Sequence, residues 1–129
     1  MNKKVIDTNI FLRYLIQDNP QQHQKAKNYL DDIEQGKLTG LVSILVVDEL
    51  IWALERYYRI KRPEFMPQIL KIFNLKHINF LETKKDLILN CLEKIKDNKI
   101  DFTDVYLSQI ATQKNILSFD KDFVKLYKK

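Results

Sequence analysis

The sequence is poor in cysteine, glycine and proline, and each low count argues against a class of protein. Its 129 residues include one cysteine, two glycines and three prolines. The single cysteine, Cys91, cannot form an internal disulfide, and so few glycines and prolines argue against a flexible linker. We therefore expect a single domain over residues 1–129, in a compartment where disulfides are not required.

Long apolar segments are also missing. The longest nearly continuous apolar run extends from Leu41 to Val47, which is far too short to span a bilayer. The chain passes from Lys3 and Lys4 directly into Val5, without the apolar segment of a signal peptide. These features predict a cytoplasmic protein with no membrane association.

Charge of neither sign dominates, although basic residues are in excess. The sequence has 22 lysines and arginines against 17 aspartates and glutamates, for a formal charge of +5. This excess is a mild indication of an anionic partner. The indication is stronger if several acids converge in one pocket, because the remaining surface is then more basic. That distribution suits a polyanionic substrate cleaved with the help of a metal ion.

Short apolar segments alternate with amphipathic helical patterns along the chain. The strand candidates are Lys4–Thr8, Leu41–Ser43, Ile78–Phe80 and Ile116–Ser118. Seven helices are predicted, over residues 9–17, 20–36, 46–57, 63–73, 83–95, 101–114 and 123–127. Asn19-Pro20 begins the second of them and Gly36 ends it, and Pro63 begins the fourth. A capping box of Thr83 and Asp86 begins the fifth, Asp101 caps the sixth, Asn115 ends the sixth after Lys114, and the last extends from Phe123 to Tyr127. This alternation predicts an α/β fold with a parallel sheet and helices on both of its faces.

Five acidic residues fall where such sheets bind ligands, which is outside the carboxyl ends of the strands. Asp7 and Asp120 follow the first and last strand candidates. Asp101 and Asp104 stand three residues apart at a helix start, and Glu49 lies near the start of the helix after the second strand. Carboxylate oxygens suit Mg²⁺ or Mn²⁺, whereas one cysteine and two histidines without ligand spacing do not suit zinc. Several acids around such an ion could activate a water against a phosphodiester.

Each of these acids also has a simpler interpretation. Asp101 is equally typical of a helix N-cap, and Asp120 of a turn. Glu49 has the pattern of a solvated helix acid, and periodicity does not separate it from its neighbour Asp48. Asp7 is the hardest to explain in this way, because an acid that ends an apolar strand needs a partner or a metal ion.

The order and local context of these acids resemble the PIN-domain family, and more closely the VapC-type toxins of bacterial toxin–antitoxin systems. The matching stretches are Val5–Arg13 (VIDTNIFLR), Val42–Glu55 (VSILVVDELIWALE), Asp101–Leu107 (DFTDVYL) and Leu117–Phe123 (LSFDKDF). They extend over nearly the whole chain in family order, so the joint match is specific although each stretch alone is not. One departure is Asn115, which stands where a glycine is usual.

The resemblance implies a four-stranded parallel sheet between helices and a Mg²⁺-dependent endonuclease that acts on RNA. Matched by position, the acidic quartet consists of Asp7, Glu49, Asp104 and Asp120. Within it, Asp7 and Asp104 are expected to be direct metal ligands, and the match favours Glu49 over Asp48. The further residues implied by the resemblance are an additional acid, Asp101, and two supports that hydrogen-bond within the site, Thr8 and Asn9.

The resemblance also implies partners. Toxins of this kind usually pair with a small antitoxin protein whose C-terminal segment covers the active-site groove, and they usually form homodimers. The candidates for contact with the RNA backbone are Lys3, Arg13, Arg59, Lys61 and Arg62, with Tyr57 and Tyr58 available for stacking. Solvated surface charge and core aromatics are equally good interpretations of these residues.

Three other functions are alternatives to a toxin ribonuclease. One is a PIN nuclease of RNA processing or repair without an antitoxin, and the domain sequence scarcely distinguishes it. Another is a non-catalytic RNA-binding module, which a missing acid would favour, yet every expected position is filled. The third is phosphate transfer through an aspartyl nucleophile, which requires a second Asp two residues after the first. Asn9 occupies that position and excludes it.

Overall fold

The sheet forms from three short segments of the chain. The structure, a computed structural model, describes residues 2–111, 116–120 and 123. Its strands are β1 (Lys3–Val5), β2 (Thr39–Val42) and β3 (Ile78–Phe80), which are all parallel and lie in that order. Parallel strands place their carboxyl ends at one edge of the sheet, and ligands of open α/β sheets bind at that edge. The predicted α/β class and parallel sheet are confirmed.

Helices separate the strands, as the alternating pattern predicts. They are α1 (Thr8–Leu15), α2 (Pro20–Glu34), α3 (Ile44–Trp52), α4 (Arg62–Phe73), α5 (Lys85–Lys96) and α6 (Phe102–Ile110). A π-helical turn over Ala53–Tyr57 continues α3. Among the described residues, no helix is long and apolar enough to cross a membrane.

The predicted helix ends were right at α2 and wrong at α5. The Asn19 side chain accepts a hydrogen bond from the Gln22 backbone N–H at 3.1 Å and caps α2. Gly36 follows that helix with φ of +79°, a left-handed conformation that favours glycine. The Thr83–Asp86 capping box does not form, because Lys84 occupies the N-cap position of α5 and no side-chain hydrogen bond caps this helix in the described part of the chain.

The predicted fourth strand is not present in the described residues. Residues 116–118 lie outside the sheet, and Leu117 is 99% exposed. One edge of β1 therefore has no neighbouring strand in the described part of the chain, and Val5 is exposed there. A three-residue apolar pattern does not specify a pairing register, so it predicts a strand poorly. The expected helix end near Lys114 and Asn115, and all but Phe123 of the last helix, lie outside the described residues.

The core lies where the helices pack against the sheet and against one another. Phe11 of α1 and Phe73 of α4 are fully buried and meet edge to face, with ring centroids 5.2 Å apart. Gly40, in the central strand, is closely packed, because a Cβ atom there would lie 2.5 Å from the Cδ1 atom of Ile6 and 2.9 Å from that of Ile78. The central strand is thus held tightly between its neighbours, which fixes the sheet edge that positions the site.

Candidate active site

Three of the predicted acids lie close enough to act on one another electrostatically. Asp104 is in the first turn of α6, and Asp101 is at the N-cap position of the same helix. Burial raises the pKa of Asp104, and the negative charges of Asp101 and Asp120 raise it further. Asp120 therefore lies near the start of α6, although residues 116–118 form no strand. We call Asp101, Asp104 and Asp120 the acid cluster.

Two members of the acid cluster had alternative interpretations as caps or turn residues. No side-chain hydrogen bond caps α6 among the described residues, so Asp101 occupies the N-cap position without acting as a side-chain cap. Asp120 does take part in a turn, because its N–H donates to the Ser118 hydroxyl and its Oδ1 accepts from the Phe123 N–H at 3.3 Å. The two roles are compatible for Asp120, since a carboxylate has several acceptor positions.

Asp7 lies at the same sheet edge, between β1 and α1. It is exposed and occupies the N-cap position of α1, and its Oδ1 accepts a hydrogen bond from the Thr8 backbone N–H at 2.8 Å. The Thr8 hydroxyl is buried and has no hydrogen-bond partner among the described residues. Asn9 is exposed in the first turn of the helix. The charges that raise the pKa of Asp104 do not include Asp7.

Glu49 and Asp48 are both exposed on α3, and they face different surroundings. The Thr103 hydroxyl donates to Asp48 Oδ1 at 3.2 Å, which links α3 to α6. Glu49 is not among the charges that act on Asp104. Of the other four predicted acids, Asp101 and Asp120 therefore act on the pKa of Asp104, and Asp7 and Glu49 do not.

Sequence reasoning missed one acid at this sheet edge. Glu82 lies just beyond the end of β3 and reaches the start of α3, where it accepts from the Ser43 hydroxyl at 2.6 Å and the Ile44 N–H at 2.7 Å. These two hydrogen bonds, the one from Ser43 first, lower the pKa of Glu82. Its position two residues after a strand was the available signal. The geometry gives it a structural role, because it caps the helix that carries Glu49.

The described residues contain no group of three or more metal-ligating side chains close enough to hold an ion. Their donor chemistry nevertheless fits a hard divalent cation. The acid cluster offers only carboxylate oxygens, and the negative charges of Asp101 and Asp120 add to the effect of burial in raising the pKa of Asp104. A bound cation would offset the repulsion among these carboxylates. The acid cluster therefore suits a divalent cation in its charge and in its ligand type.

The predicted RNA-contact residues occupy very different environments. Arg13 forms an ion pair with Asp18 at 2.8 Å. Arg59 is exposed between the π-helical turn and α4 and has φ of +56°. Lys61 is exposed at the mouth of a groove beside α3, and Tyr57 is 73% exposed. These side chains do not form one continuous patch on a single element.

Arg62 is largely buried and binds within the protein. Its guanidinium pairs with both carboxylate oxygens of Glu55, at 2.9 and 3.2 Å. It also donates to the backbone carbonyls of Ile95, Asn98 and Ile100, at 3.1, 2.6 and 2.7 Å. These bonds hold the start of α4 to the connection between α5 and α6. Sequence shows only that Arg62 is charged, whereas its contacts favour a structural role.

Comparison with known proteins identifies a family for nearly the entire chain. The family model described as PIN domain matches residues 4–129. The searches of curated proteins and of solved structures each gave no match.

Proposed function

Because the chain belongs to the PIN-domain family, whose members are generally nucleases, we propose that it is a metal-dependent endoribonuclease. The observation that carries this proposal is the acid cluster, in which burial and the charges of Asp101 and Asp120 raise the pKa of Asp104. Acids that repel one another at the ligand-binding edge of a sheet are costly to the fold. Such a cost is characteristic of a functional site.

The proposed metal site combines the acid cluster with Asp7 and Glu49. Asp7 and Asp104 would bind Mg²⁺ or Mn²⁺ directly, with Glu49 and Asp120 completing the quartet and Asp101 as an additional acid. When bound, the ion would supply an activated water and stabilise the leaving oxygen of the phosphodiester. Thr8 and Asn9 would support Asp7, and the buried Thr8 hydroxyl is free to orient toward such a partner.

The finer proposal is that the chain is the toxin of a toxin–antitoxin pair acting in the cytoplasm. It is supported by the VapC-like stretches Val5–Arg13 and Val42–Glu55 together with the family match. A small antitoxin protein and a homodimer are the partners this proposal implies. The whole chain would then act as one nuclease domain.

Expression in bacteria tests the proposed function. Wild-type protein is expected to slow growth and to create new RNA 5′ ends at a limited set of sites, whereas the Asp7→Asn variant should do neither. Asp86→Asn, an exposed acid in the first turn of α5, is the matched control and should behave as wild type. If the wild type and Asp7→Asn gave the same RNA ends, the proposal would be wrong.

A further inference from the structure

A groove of about 970 Å³ runs beside the acid cluster. One wall is α3 with the π-helical turn that continues it, and the other is the end of α5 and the start of α6. Asp101 belongs both to the acid cluster and to the groove lining. The Thr103–Asp48 hydrogen bond joins the two walls near the same end. The groove therefore reaches the acid cluster at Asp101.

The α3 wall presents an acid, an aromatic ring and a base in succession. Asp48, Trp52 and Arg56 follow one another at four-residue intervals, and all three line the groove. Trp52 is 60% exposed, although a tryptophan ring is usually well buried. Among the described residues, no aromatic ring stacks on it. Its exposed face is available to a flat ligand group.

The basic side chains of the groove differ in what they already bind. Arg62 is occupied by Glu55, and Lys96 pairs with Glu93 at 3.1 Å. In the described part of the chain, the other three bases form no ion pair, and all three are exposed. They are Arg56, Lys61 and Lys99. They can therefore bind an anion without first breaking an internal contact.

Acids also line the groove, and two of them have neighbours that reduce their effect on a bound anion. Asp97 lies between Lys96 and Lys99 in the sequence, and Asp48 accepts a hydrogen bond from Thr103. A strand of alternating phosphates and bases matches a groove that offers an exposed aromatic ring beside exposed bases.

We propose that this groove binds the single-stranded RNA segment next to the cleaved bond. Trp52 stacks on an unpaired base, and Arg56, Lys61 and Lys99 contact phosphates of the backbone. A base must be unpaired to stack on a side chain in this way, so the groove selects single strands over duplex. This inference rests on the proposed nuclease function and assigns its substrate path.

The fluorescence of Trp52 gives a direct measurement, because it is the only tryptophan of the chain. The Asp7→Asn variant is titrated with a short single-stranded oligouridylate, which it binds without cutting. Saturable quenching is expected, and the duplex of the same oligouridylate with its oligoadenylate complement should give much less. In the same background, Trp52→Ala should weaken binding, measured by anisotropy of labelled RNA, by on the order of tenfold, and Trp52→Phe should restore most of it.

Charge variants test the phosphate contacts separately. Lys99→Gln should reduce the slope of log affinity against log salt by about 0.7, the value for one lost contact to a single strand. The matched control is Lys25→Gln, an exposed lysine of α2 outside the groove, which should leave the slope unchanged. Circular dichroism of each variant establishes that the fold is retained.

The outcomes distinguish a failure of the groove proposal from a failure of the proposed nuclease function. If wild type cleaves RNA but Trp52 is not quenched and Trp52→Ala and Lys99→Gln bind like the parent, the groove proposal is wrong and the nuclease stands. If wild type neither binds nor cleaves RNA, both are wrong. If a polyglutamate peptide quenches Trp52 and RNA does not, the groove is a site for an acidic protein segment, which also overturns this proposal.

Discussion

Replacing Asp7 or Asp104 by asparagine is expected to lower the rate of RNA cleavage at least about a hundredfold. Asparagine keeps the size of the side chain and removes the negative charge that would hold a cation. A hundredfold loss corresponds to about 3 kcal/mol of transition-state stabilisation, the order expected for one principal electrostatic contact. The measurement is single-turnover cleavage of a labelled RNA with Mg²⁺ in excess.

The control for that measurement is Asp86→Asn, which removes an acid of the same size from an exposed position on α5. Its rate should match that of the wild type within about twofold, since a lone surface charge contributes little. Cleavage by Asp7→Asn or Asp104→Asn at the control rate would show that the metal site was assigned to the wrong residues.

The same assay decides between Glu49 and Asp48. We expect Glu49→Gln to lose most of its activity and Asp48→Asn to keep most of it. An asparagine at position 48 still accepts the hydrogen bond from Thr103, so the link between α3 and α6 remains. If Asp48→Asn were inactive and Glu49→Gln active, the active-site acid of α3 would be Asp48, and its assignment to Glu49 would be wrong by one residue.

Mg²⁺ is expected to raise the melting temperature of the wild type by roughly 5–10 °C. A ligand that binds only the folded state stabilises it by about 2.7 kcal/mol at a hundredfold excess over its dissociation constant. For a domain near this size, about 2–4 °C of melting temperature corresponds to each kcal/mol. Thermal scans with EDTA and with millimolar Mg²⁺ measure the difference, and Asp104→Asn should gain much less from the ion.

Without metal, the Asp104→Asn variant should be more stable than the wild type. Folding raises the pKa of Asp104, so the ionised carboxylate is less favourable in the folded than in the unfolded chain. The free-energy cost of ionising Asp104 in the folded chain is absent below the ordinary pKa of 3.8. It grows as pH rises from 3.8 to the raised pKa of the folded state. Apo Asp104→Asn should therefore melt above apo wild type at neutral pH, and the advantage should vanish at acidic pH. A variant less stable than wild type in EDTA, with no gain of the wild type from Mg²⁺ or Mn²⁺, would contradict the metal site.

Local signals predicted the parts of the fold that local chemistry determines. The Asn19-Pro20 start of α2 and the end of that helix at Gly36 are each specified by a few neighbouring residues, and the structure has both. The predicted Thr83–Asp86 capping box was wrong, because Lys84 is the N-cap residue of α5. No local pattern shows that Glu82 would cap a helix 38 residues away in sequence. The fourth strand failed because pairing depends on a register that a short apolar triplet does not encode.

The residues of the proposed site stay a prediction from the sequence, and their arrangement could not be predicted from it. The order of acids gave Asp101, Asp104 and Asp120, which the structure brings together electrostatically. Sequence could not distinguish Arg62, whose charge is used inside the protein, from an exposed base such as Lys61. It also gave no signal for the groove, because α3 and the start of α6 are far apart in sequence and meet only after folding.

The chemistry of the cut ends tests the central claim most directly. Purified wild-type protein is incubated with a defined RNA in Mg²⁺ and in EDTA, and the ends of the products are identified. Direct attack by a water at an oxygen-ligated metal site leaves a 5′-phosphate and a 3′-hydroxyl, and we expect these ends in Mg²⁺ and no cleavage in EDTA. Products ending in a 2′,3′-cyclic phosphate, or undiminished cleavage in EDTA, would contradict a metal-dependent ribonuclease built on these acids.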